Sequence, residues 1–217
     1  MKIALLLLDG FEHLEAAPFI DIFGWANVTL GIDVEVHTFG LTKMVRSSFG
    51  TIVMVDHIVH DENEYYDGDE DVTGVVNAAE KYPTVDMSQY DALAIPGGFA
   101  RFGFFDAGQM PQIQKLIREY NISPHYLIAI CTASIVVAQT GMLKSRHATS
   151  YNHEDGRYLK QLAQMGVDVV TDKQMVWDGN ILTTAGPSTA VPAAFALLEK
   201  LTDMDTVKKL REYMGYA

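Results

Sequence analysis

The chain has 217 residues, of which 48% are hydrophobic and 20% are charged, a balance typical of a globular protein and unlike that of a disordered one. Acidic residues outnumber basic ones 28 to 16, and the formal net charge of −12 argues against binding to nucleic acid or to an anionic membrane. This length fits one α/β domain, so we expect residues 1–217 to form a single domain.

The single cysteine and the short apolar N-terminus indicate where the protein works. Cys131 has no second cysteine with which to form a disulfide or a cysteine-rich zinc site, which is consistent with a reducing compartment. The apolar run from Ile3 to Leu8 is too short for a membrane span or a signal peptide. We therefore expect a cytoplasmic protein that contains no metal and no cofactor.

Patterns typical of strands and helices alternate in the first part of the chain. Lys2 to Leu8 is a continuous apolar run that predicts a strand covered on both faces, and the spacing from Leu14 to Phe23 predicts a helix. Val34 to Phe39 alternates as a strand does. Gly50 separates two β-rich stretches within Ser47 to Val59, which predicts a hairpin.

The alternation continues in the second part of the chain. A short strand is predicted at Ala92 to Ile95, a helix at Pro111 to Tyr120, a strand at Tyr126 to Ile130 and a helix at Ala133 to Leu143. Because these strands are uninterrupted apolar runs, the pattern predicts an α/β fold with a mainly parallel sheet and helices on both faces.

The C-terminal part ends in a predicted hairpin and helix. Met175 to Trp177 and Ile181 to Thr183 flank the turn sequence Asp178-Gly179-Asn180, which is typical of a hairpin. Ser188 is then the expected N-cap of a final core helix.

The segment from Asp61 to Asp71 differs in composition from the rest of the chain, with seven carboxylates in eleven residues. Its spacing does not match a calcium-binding loop, because Tyr66 occupies the position that requires glycine. We interpret the segment as an acidic surface loop rather than a metal site.

Cys131 lies at a predicted turn from strand to helix. That position is at the carboxyl edge of the sheet, where open α/β sheets bind ligands. The N–H groups of the helix N-terminus favour a thiolate, so we expect the pKa of Cys131 to be lowered. We also expect strained backbone geometry there, as in a nucleophile elbow. The alternative is a small buried hydrophobic side chain.

Two other features lie near this edge. Gly97 and Gly98 follow the neighbouring strand, where their N–H groups could bind an oxyanion, although the same sequence also occurs in simple turns. Glu15 lies in the first turn of a predicted helix, where a glutamate is usually only a charge that favours the helix dipole.

Four segments together resemble the successive motifs of the ThiJ/PfpI superfamily, which has a class I glutamine amidotransferase-like fold. The resemblance implies a flavodoxin-like three-layer sandwich, a nucleophile elbow at Cys131, an acid partner at Glu15 and a homodimer. The segments span nearly the whole chain in family order. They are Asp-Gly-Phe-Glu-His-Leu-Glu at 9–15, Ala-Ile-Pro-Gly-Gly at 94–98, Ala-Ile-Cys-Thr-Ala-Ser at 129–134 and Thr-Thr-Ala-Gly-Pro-Ser at 183–188.

The resemblance leaves the reaction open, because the family includes proteases, glyoxalases, deglycases, isonitrile hydratases, chaperones and oxidative-stress sensors. Thr132 stands where the protease-like members carry histidine, which argues against peptidase activity. Tyr151 aligns with a histidine of the glyoxalase-like members. The Cys131-Thr132 pair resembles the isonitrile hydratases, which usually carry aspartate at the position of Glu15.

Two histidines are further candidates to assist the cysteine. His147 and His153 share strand parity with Tyr151, so the three side chains would point to the same side of the sheet if this stretch is extended. Each histidine could equally be an exposed loop residue.

The leading hypothesis is a cysteine-dependent enzyme that acts on a small electrophilic carbon by hydration, hydrolysis or glyoxalase-type isomerisation. Cys131 attacks, the backbone N–H groups of Gly98 and Thr132 hold the oxyanion, and a buried, protonated Glu15 exchanges a proton with the thiol. The alternative is a non-enzymatic sensor or chaperone in which Cys131 is oxidised to a sulfinic acid.

Overall fold

The computed structural model describes residues 1–60, 65–66, 76–77, 85–120, 122–153 and 155–216. The acidic loop predicted at 61–71 lies outside these ranges, apart from the backbone of Tyr65–Tyr66. That short strand pairs antiparallel with Val76–Asn77.

A seven-stranded sheet forms the centre of the fold. The described strands are β1 (Lys2–Leu6), β2 (Glu35–Gly40), β3 (Met44–Arg46), β4 (Ile52–Met54), β5 (His57–Ile58), β6 (Tyr65–Tyr66), β7 (Val76–Asn77), β8 (Ala92–Ile95), β9 (Tyr126–Ala129), β10 (His147–Ala148), β11 (Asp168–Val169), β12 (Met175–Asp178) and β13 (Ile181–Thr184). The order of strands in the sheet is β12-β13-β9-β8-β1-β2-β5. Every neighbouring pair is parallel except β12 and β13, which form an antiparallel hairpin at one edge.

Helices cover both faces of this sheet. In the described part of the chain, no helix is both long enough and apolar enough to span a membrane. The helices are α1 (His13–Leu30), α2 (Phe104–Gly108), α3 (Pro111–Glu119), α4 (Ala133–Gln139), α5 (Arg157–Gln164), α6 (Ala190–Leu201) and α7 (Met204–Met214).

The central strand β1 shows why two helical layers form. Its side chains alternate, so Ile3 and Leu5 enter one core with α1, α6 and α7, whereas Ala4 and Leu6 enter the other with α2 to α5. All four side chains are fully buried, and each leucine or isoleucine contributes about 1.5 to 3 kcal/mol through the hydrophobic effect. The predicted mainly parallel, three-layer α/β architecture is confirmed.

Several element boundaries differ from the prediction. The hairpin around Gly50 is present, but its first strand begins at Met44 rather than Ser47. The helix predicted from Ala133 to Leu143 ends at Gln139. The expectation that Ser188 caps the final core helix is wrong, because a 3-10 turn takes up Ser188, α6 begins only after Thr189, and α7 follows α6.

Candidate active site

Cys131 lies between the end of β9 and the start of α4. Its φ is +56°, in the left-handed region that residues with a side chain rarely adopt. The predicted strain at this position is therefore confirmed. The parallel arrangement of β1, β8 and β9 brings the segments after all three strands to the same edge of the sheet, so Glu15, Gly97 and Cys131 meet there.

The backbone of Cys131 is fixed from two sides. Its N–H donates to the carbonyl oxygen of Thr184 over 3.0 Å. Its carbonyl oxygen accepts hydrogen bonds from the hydroxyl groups of Ser134 and Ser150, both at 3.0 Å. Ser134 and Ser150 are fully buried. These bonds satisfy a buried carbonyl at the elbow and hold the unusual dihedral angle.

Gly97 packs directly against the elbow. A Cβ atom at this position would lie 2.9 Å from Cβ of Cys131, 2.7 Å from the carbonyl oxygen of Ile130 and 2.8 Å from the nitrogen of Thr132. Two of these three atoms belong to the backbone and cannot move aside cheaply. Only glycine therefore allows the loop after β8 to approach the cysteine this closely.

Glu15 is fully buried, as predicted, in the first turn of α1. Its Oε2 accepts a hydrogen bond of 2.7 Å from the Gly97 N–H. Its Oε1 is buried and accepts no hydrogen bond of ordinary geometry from any described residue. The Cys131 thiol is a neighbouring titratable group and interacts with this carboxyl group.

Burial raises the pKa of Glu15 to about 7, because the charged carboxylate loses its water. The Gly97 N–H and the Cys131 thiol lower the pKa, whereas the charge of Glu12 raises it further. Glu15 is therefore partly protonated near neutral pH, as the sequence hypothesis requires. A carboxyl group with this pKa can both accept and return a proton under physiological conditions.

The expectation that the pKa of Cys131 is lowered is wrong. Burial of the thiol, which is only 7% exposed, raises its pKa well above the usual value, and the Glu15 carboxylate raises it further. The backbone N–H and the hydroxyl of Thr132 lower the pKa but do not compensate. Cys131 is consequently a thiol at rest, and it needs Glu15 to take its proton when it attacks a substrate.

Thr132 and the two glycines have contacts that differ from their predicted roles. The hydroxyl of Thr132 accepts from the Gly98 N–H at 2.9 Å and donates to the Gly98 carbonyl at 2.8 Å. The Gly97 N–H is already bonded to Glu15. Gly97 thus positions the acid, and Gly98 would have to release Thr132 before it could bind an oxyanion. The oxyanion role of Gly98 and of the Thr132 N–H stays a prediction.

His147 lies far from the cysteine. Its backbone N–H and Nδ1 contact Oδ2 of Asp178 at 2.8 and 3.3 Å. Asp178 on β12 pairs with Ile181 on β13, and Ile181 pairs with Leu127 on β9. Leu127 lies four residues before Cys131 along the chain. At roughly 3.3 Å per residue this separation exceeds 10 Å. This position gives no support to an assisting role for His147, which stays a prediction. The strand parity that linked His147 to Tyr151 does not hold, because β10 ends after Ala148.

Tyr151 and His153 lie at the outer side of the elbow. A Cβ on Gly186 would be 3.4 Å from the Tyr151 ring, and Gly186 lies two residues after Thr184, whose carbonyl accepts the hydrogen bond from the Cys131 N–H. The exposed ring of His153 lies 6.0 Å from the Tyr151 ring. Tyr151 is thus near the elbow and His153 is further out, and the assisting role of either residue stays a prediction.

Residues 1–200 match the model of the DJ-1/PfpI family. The chain belongs to the DJ-1/PfpI family. This assignment agrees with the elbow at Cys131 and with the four motifs in the sequence.

Three relatives show how far the similarity extends. The glutathione-independent glyoxalase DJ-1 of Schizosaccharomyces pombe is 29% identical over 209 residues, covering 94% of the chain and 93% of that protein. The isonitrile hydratase of Pseudomonas putida is 27% identical over 132 residues, covering 61% and 54%. Protein dj-1beta of Drosophila melanogaster is 29% identical over 126 residues, covering 58% and 64%. The chain thus spans less than two thirds of the latter two proteins.

The crystal structure of Drosophila melanogaster DJ-1beta superposes on the chain with a TM-score of 0.73 at 22% identity, covering 100% of the chain and 98% of that structure. At this identity the similarity shows the fold alone. The predicted flavodoxin-like fold of the DJ-1/PfpI family is confirmed.

The structure adds three residues that the sequence did not single out as part of the site. Glu12 is largely buried, its N–H donates to the Gly97 carbonyl at 2.7 Å, and its charge acts on Glu15. Ser134 and Ser150 hold the Cys131 carbonyl. Glu12 and Ser134 lie inside two of the family motifs, so the motifs gave a signal for them. Ser150 lies outside the four motifs, and nothing in the neighbouring sequence indicates that it belongs to the site.

Proposed function

We propose that the chain is a cysteine-dependent enzyme that acts on a small electrophilic carbon, by glyoxalase- or deglycase-type chemistry or by hydration of an isonitrile. The observation that carries the proposal is the pair formed by Cys131 and Glu15. The thiol stands at a strained elbow, and the buried acid beside it has a pKa of about 7. Together they supply a nucleophile and a proton acceptor.

The first step follows from these two side chains. As Sγ of Cys131 bonds to the electrophilic carbon, its proton passes to the Glu15 carboxylate, and one electron pair of the attacked multiple bond moves onto the substrate's oxygen or nitrogen. Glu15 then returns the proton to that atom or to a neighbouring carbon. With a 2-oxoaldehyde, transfer of hydrogen from the first to the second carbon gives a thioester. Water cleaves the thioester to a 2-hydroxy acid and regenerates the thiol.

The relatives support this range of reactions. The S. pombe glyoxalase aligns over nearly its whole length, which makes a 2-oxoaldehyde the first substrate to test. The isonitrile hydratase aligns over 54% of its length, which makes an isonitrile the second substrate to test. Because the thiol is only 7% exposed, a small substrate is favoured over a peptide. The engagement of the Thr132 hydroxyl with Gly98 gives no support to a peptidase.

A sensor or chaperone role is the second candidate. In that case peroxide would oxidise the Cys131 thiolate to a sulfenic and then a sulfinic acid, with water as the reduced product. Glu15 favours this reading in one respect, because a protonated Oε1 with no ordinary hydrogen-bond partner among the described residues could donate to a sulfinate oxygen. The raised pKa of Cys131 opposes it, since oxidation proceeds through the thiolate.

Turnover of methylglyoxal and of an isonitrile by wild type, Cys131→Ser and His147→Ala tests the proposal. We expect wild type and His147→Ala to turn over one of the two classes, with kcat/KM lower by about 10³-fold or more in Cys131→Ser. Absence of turnover in wild type, with a mass gain of two oxygens at stoichiometric peroxide, would favour the sensor role instead.

The proposal also includes a homodimer, a cytoplasmic location and a single domain over 1–217. The homodimer is what the resemblance to the family implies, and the single cysteine is consistent with a reducing compartment. A monomeric mass by light scattering at micromolar concentration would contradict the homodimer.

A further inference from the structure

Three phenylalanine rings form an exposed cluster, the ring cluster, made of Phe49, Phe99 and Phe102. These side chains are 67%, 42% and 38% exposed. Their ring centroids are 5.7, 6.3 and 6.4 Å apart, so each ring contacts the other two. Large aromatic side chains that gather at a surface mark a binding surface far more often than singly exposed ones do.

The ring cluster belongs to the same loops as the active site. Gly97 touches the elbow, Gly98 is bonded to Thr132, and Phe99 follows directly, with its N–H donating to the Gly10 carbonyl at 3.1 Å. Two residues span at most about 7 Å, so the Phe99 backbone lies roughly within 12 Å of the Cys131 side chain. A substituent on a molecule bound at the thiol can reach that far.

Phe49 and Phe102 are held beside the same residue, Gly10. Phe49 lies in the turn between β3 and β4, next to Ser48, whose N–H donates to the Phe11 carbonyl at 2.8 Å and whose hydroxyl donates to the Gly10 carbonyl. The carbonyl of Phe102 lies against Gly10, where a Cβ would approach it to 2.6 Å. Two separate segments, the β3–β4 turn and the segment from Phe99 to Phe102, therefore converge beside Gly10, and their backbone contacts fix the positions of the rings.

Space for a ligand group lies beside one of the rings, Phe102. A cavity of about 410 Å³ is lined by Phe102, by Asp9 and Arg46, and by the turn residues Ser47, Ser48 and Gly50. One face of Phe102 is already covered by the Arg101 guanidinium, with Cζ at 4.6 Å from the ring centroid. The ring faces that remain are flat and apolar, and an aromatic ring is the chemical group that packs on them best.

We propose that the ring cluster determines the specificity of the Cys131 site and favours an electrophile that carries an aryl group over one that carries only a methyl group or a hydrogen. The inference rests on the proposed function, because it names the substrate class of the same thiol. It assigns no part of the bond-making step to the rings.

The test uses two alkylating agents with one reactive group, iodoacetamide and N-phenyl iodoacetamide. Because Cys131 is the only cysteine, intact mass reports its alkylation without ambiguity. We expect N-phenyl iodoacetamide to react at least tenfold faster in wild type. The ratio of the two rates should fall at least fivefold in Phe49→Ala and in Phe99→Ala. Trp25→Ala, an exposed aromatic on α1, is the matched control and should leave the ratio unchanged.

An equal ratio of the two alkylation rates in wild type and both phenylalanine variants would overturn the inference. It would also be overturned if the ratio stays unchanged in Phe49→Ala while light scattering shows that this variant dissociates an oligomer. Turnover of methylglyoxal and phenylglyoxal by wild type separates the two proposals. If neither is turned over, the enzymatic function fails while the alkylation ratio still decides the role of the rings. If both are turned over at similar kcat/KM and the alkylation ratio is near one, only the ring cluster inference fails.

Discussion

Two acid-containing clusters lie towards opposite ends of the same strands and behave in opposite ways. At the carboxyl end of β9, Glu15 is fully buried beside Cys131 and its pKa is raised to about 7. Towards the other end, Asp178 lies near the surface and binds His147 and Arg146. There the pKa of Asp178 is lowered, chiefly by the hydrogen bond from the His147 backbone N–H.

The two acids differ in hydration and not in their backbone donors, because each accepts a hydrogen bond from a backbone N–H. Asp178 keeps much of its hydration, so its donors stabilise the carboxylate. Glu15 has lost its hydration, and a single N–H from Gly97 does not replace it. A histidine bonded to an aspartate resembles a catalytic pair, yet the acid that we propose to be reactive is Glu15, the one that has lost its water.

The largest effect should come from Gly97→Ala, which would break the buried cluster. The added Cβ meets backbone atoms of Ile130 and Thr132 at 2.7 and 2.8 Å, so the loop and the elbow must separate. We expect kcat/KM to fall by about 100-fold, because a shift of about 1 Å between reacting groups has that effect. The free energy of unfolding should fall by about 1 to 3 kcal/mol.

Gly24→Ala is the matched control for this substitution. Gly24 lies in α1 with nothing within 4 Å of the added Cβ. Alanine is the better helix former, so this variant should gain about 0.5 to 1 kcal/mol and keep full activity. Equal activity of the two variants would show that the close approach at Gly97 has no role in the chemistry.

Glu15→Gln should change how stability depends on pH. The pKa of Glu15 rises from 4.5 in the unfolded chain to about 7 in the folded one. Protonation therefore contributes stability that is complete below pH 4.5 and is lost as the pH rises through 7. The stability of wild type relative to Glu15→Gln should fall by about 2 to 3 kcal/mol between about pH 5 and about pH 8, measured by urea unfolding.

Alkylation rates give an independent check on the pairing of Glu15 with the thiol. Glu15→Gln keeps a hydrogen-bond donor but cannot exchange a proton, whereas Glu15→Leu removes both functions. If Cys131 is alkylated equally fast in wild type and in both variants, the two groups do not interact and Glu15 is only a charge at the start of a helix.

Removal of the serine hydroxyls should have a smaller, non-additive effect. Ser134→Ala and Ser150→Ala each leave one donor on the Cys131 carbonyl, so each should cost about 1 kcal/mol. The double variant leaves that buried carbonyl without either donor and should cost more than the sum. A strictly additive result from urea unfolding of all four proteins would mean that the hydroxyls do not share the carbonyl.

Asp178→Asn should have the smallest effect, and one of opposite sign. The pKa of Asp178 is lowered, so its contribution to stability is present above its unfolded value of 3.8 and is lost as the pH falls through the folded pKa. Because solvent screens this cluster, we expect a change below about 0.5 kcal/mol, and turnover should be unaffected. A loss of turnover in Asp178→Asn would contradict the contrast between the two clusters.

Much of the buried cluster could be predicted from local pattern. An apolar run followed by helical spacing located Cys131 at a strand-to-helix turn, and the parallel order of strands brought Gly97 to the same edge. Glu15 required the family motif, because a glutamate in a first helical turn is common. These predictions succeeded because each depends on neighbours in sequence or on the parallel sheet.

The remaining features depend on burial and on distant contacts, which a single sequence does not contain. The pKa of Cys131 was predicted in the wrong direction, because the helix N-terminus is visible in sequence while the loss of water around the thiol is not. The contact of His147 with Asp178 could not be predicted from strand parity, because β10 ends after Ala148. Ser150 was missed because its partner lies 19 residues away along the chain.

The tight packing around Gly97 also affects which residues near this site can change in evolution. The atoms that surround the thiol leave no room for a larger residue, so substitutions there disturb the chemistry itself. Phe49, Phe99 and Phe102 project to solvent a short distance away, where other side chains fit without moving the elbow. New substrate preferences could therefore arise by mutation of the rings alone, and a directed-evolution library confined to these three positions would search them without loss of the nucleophile.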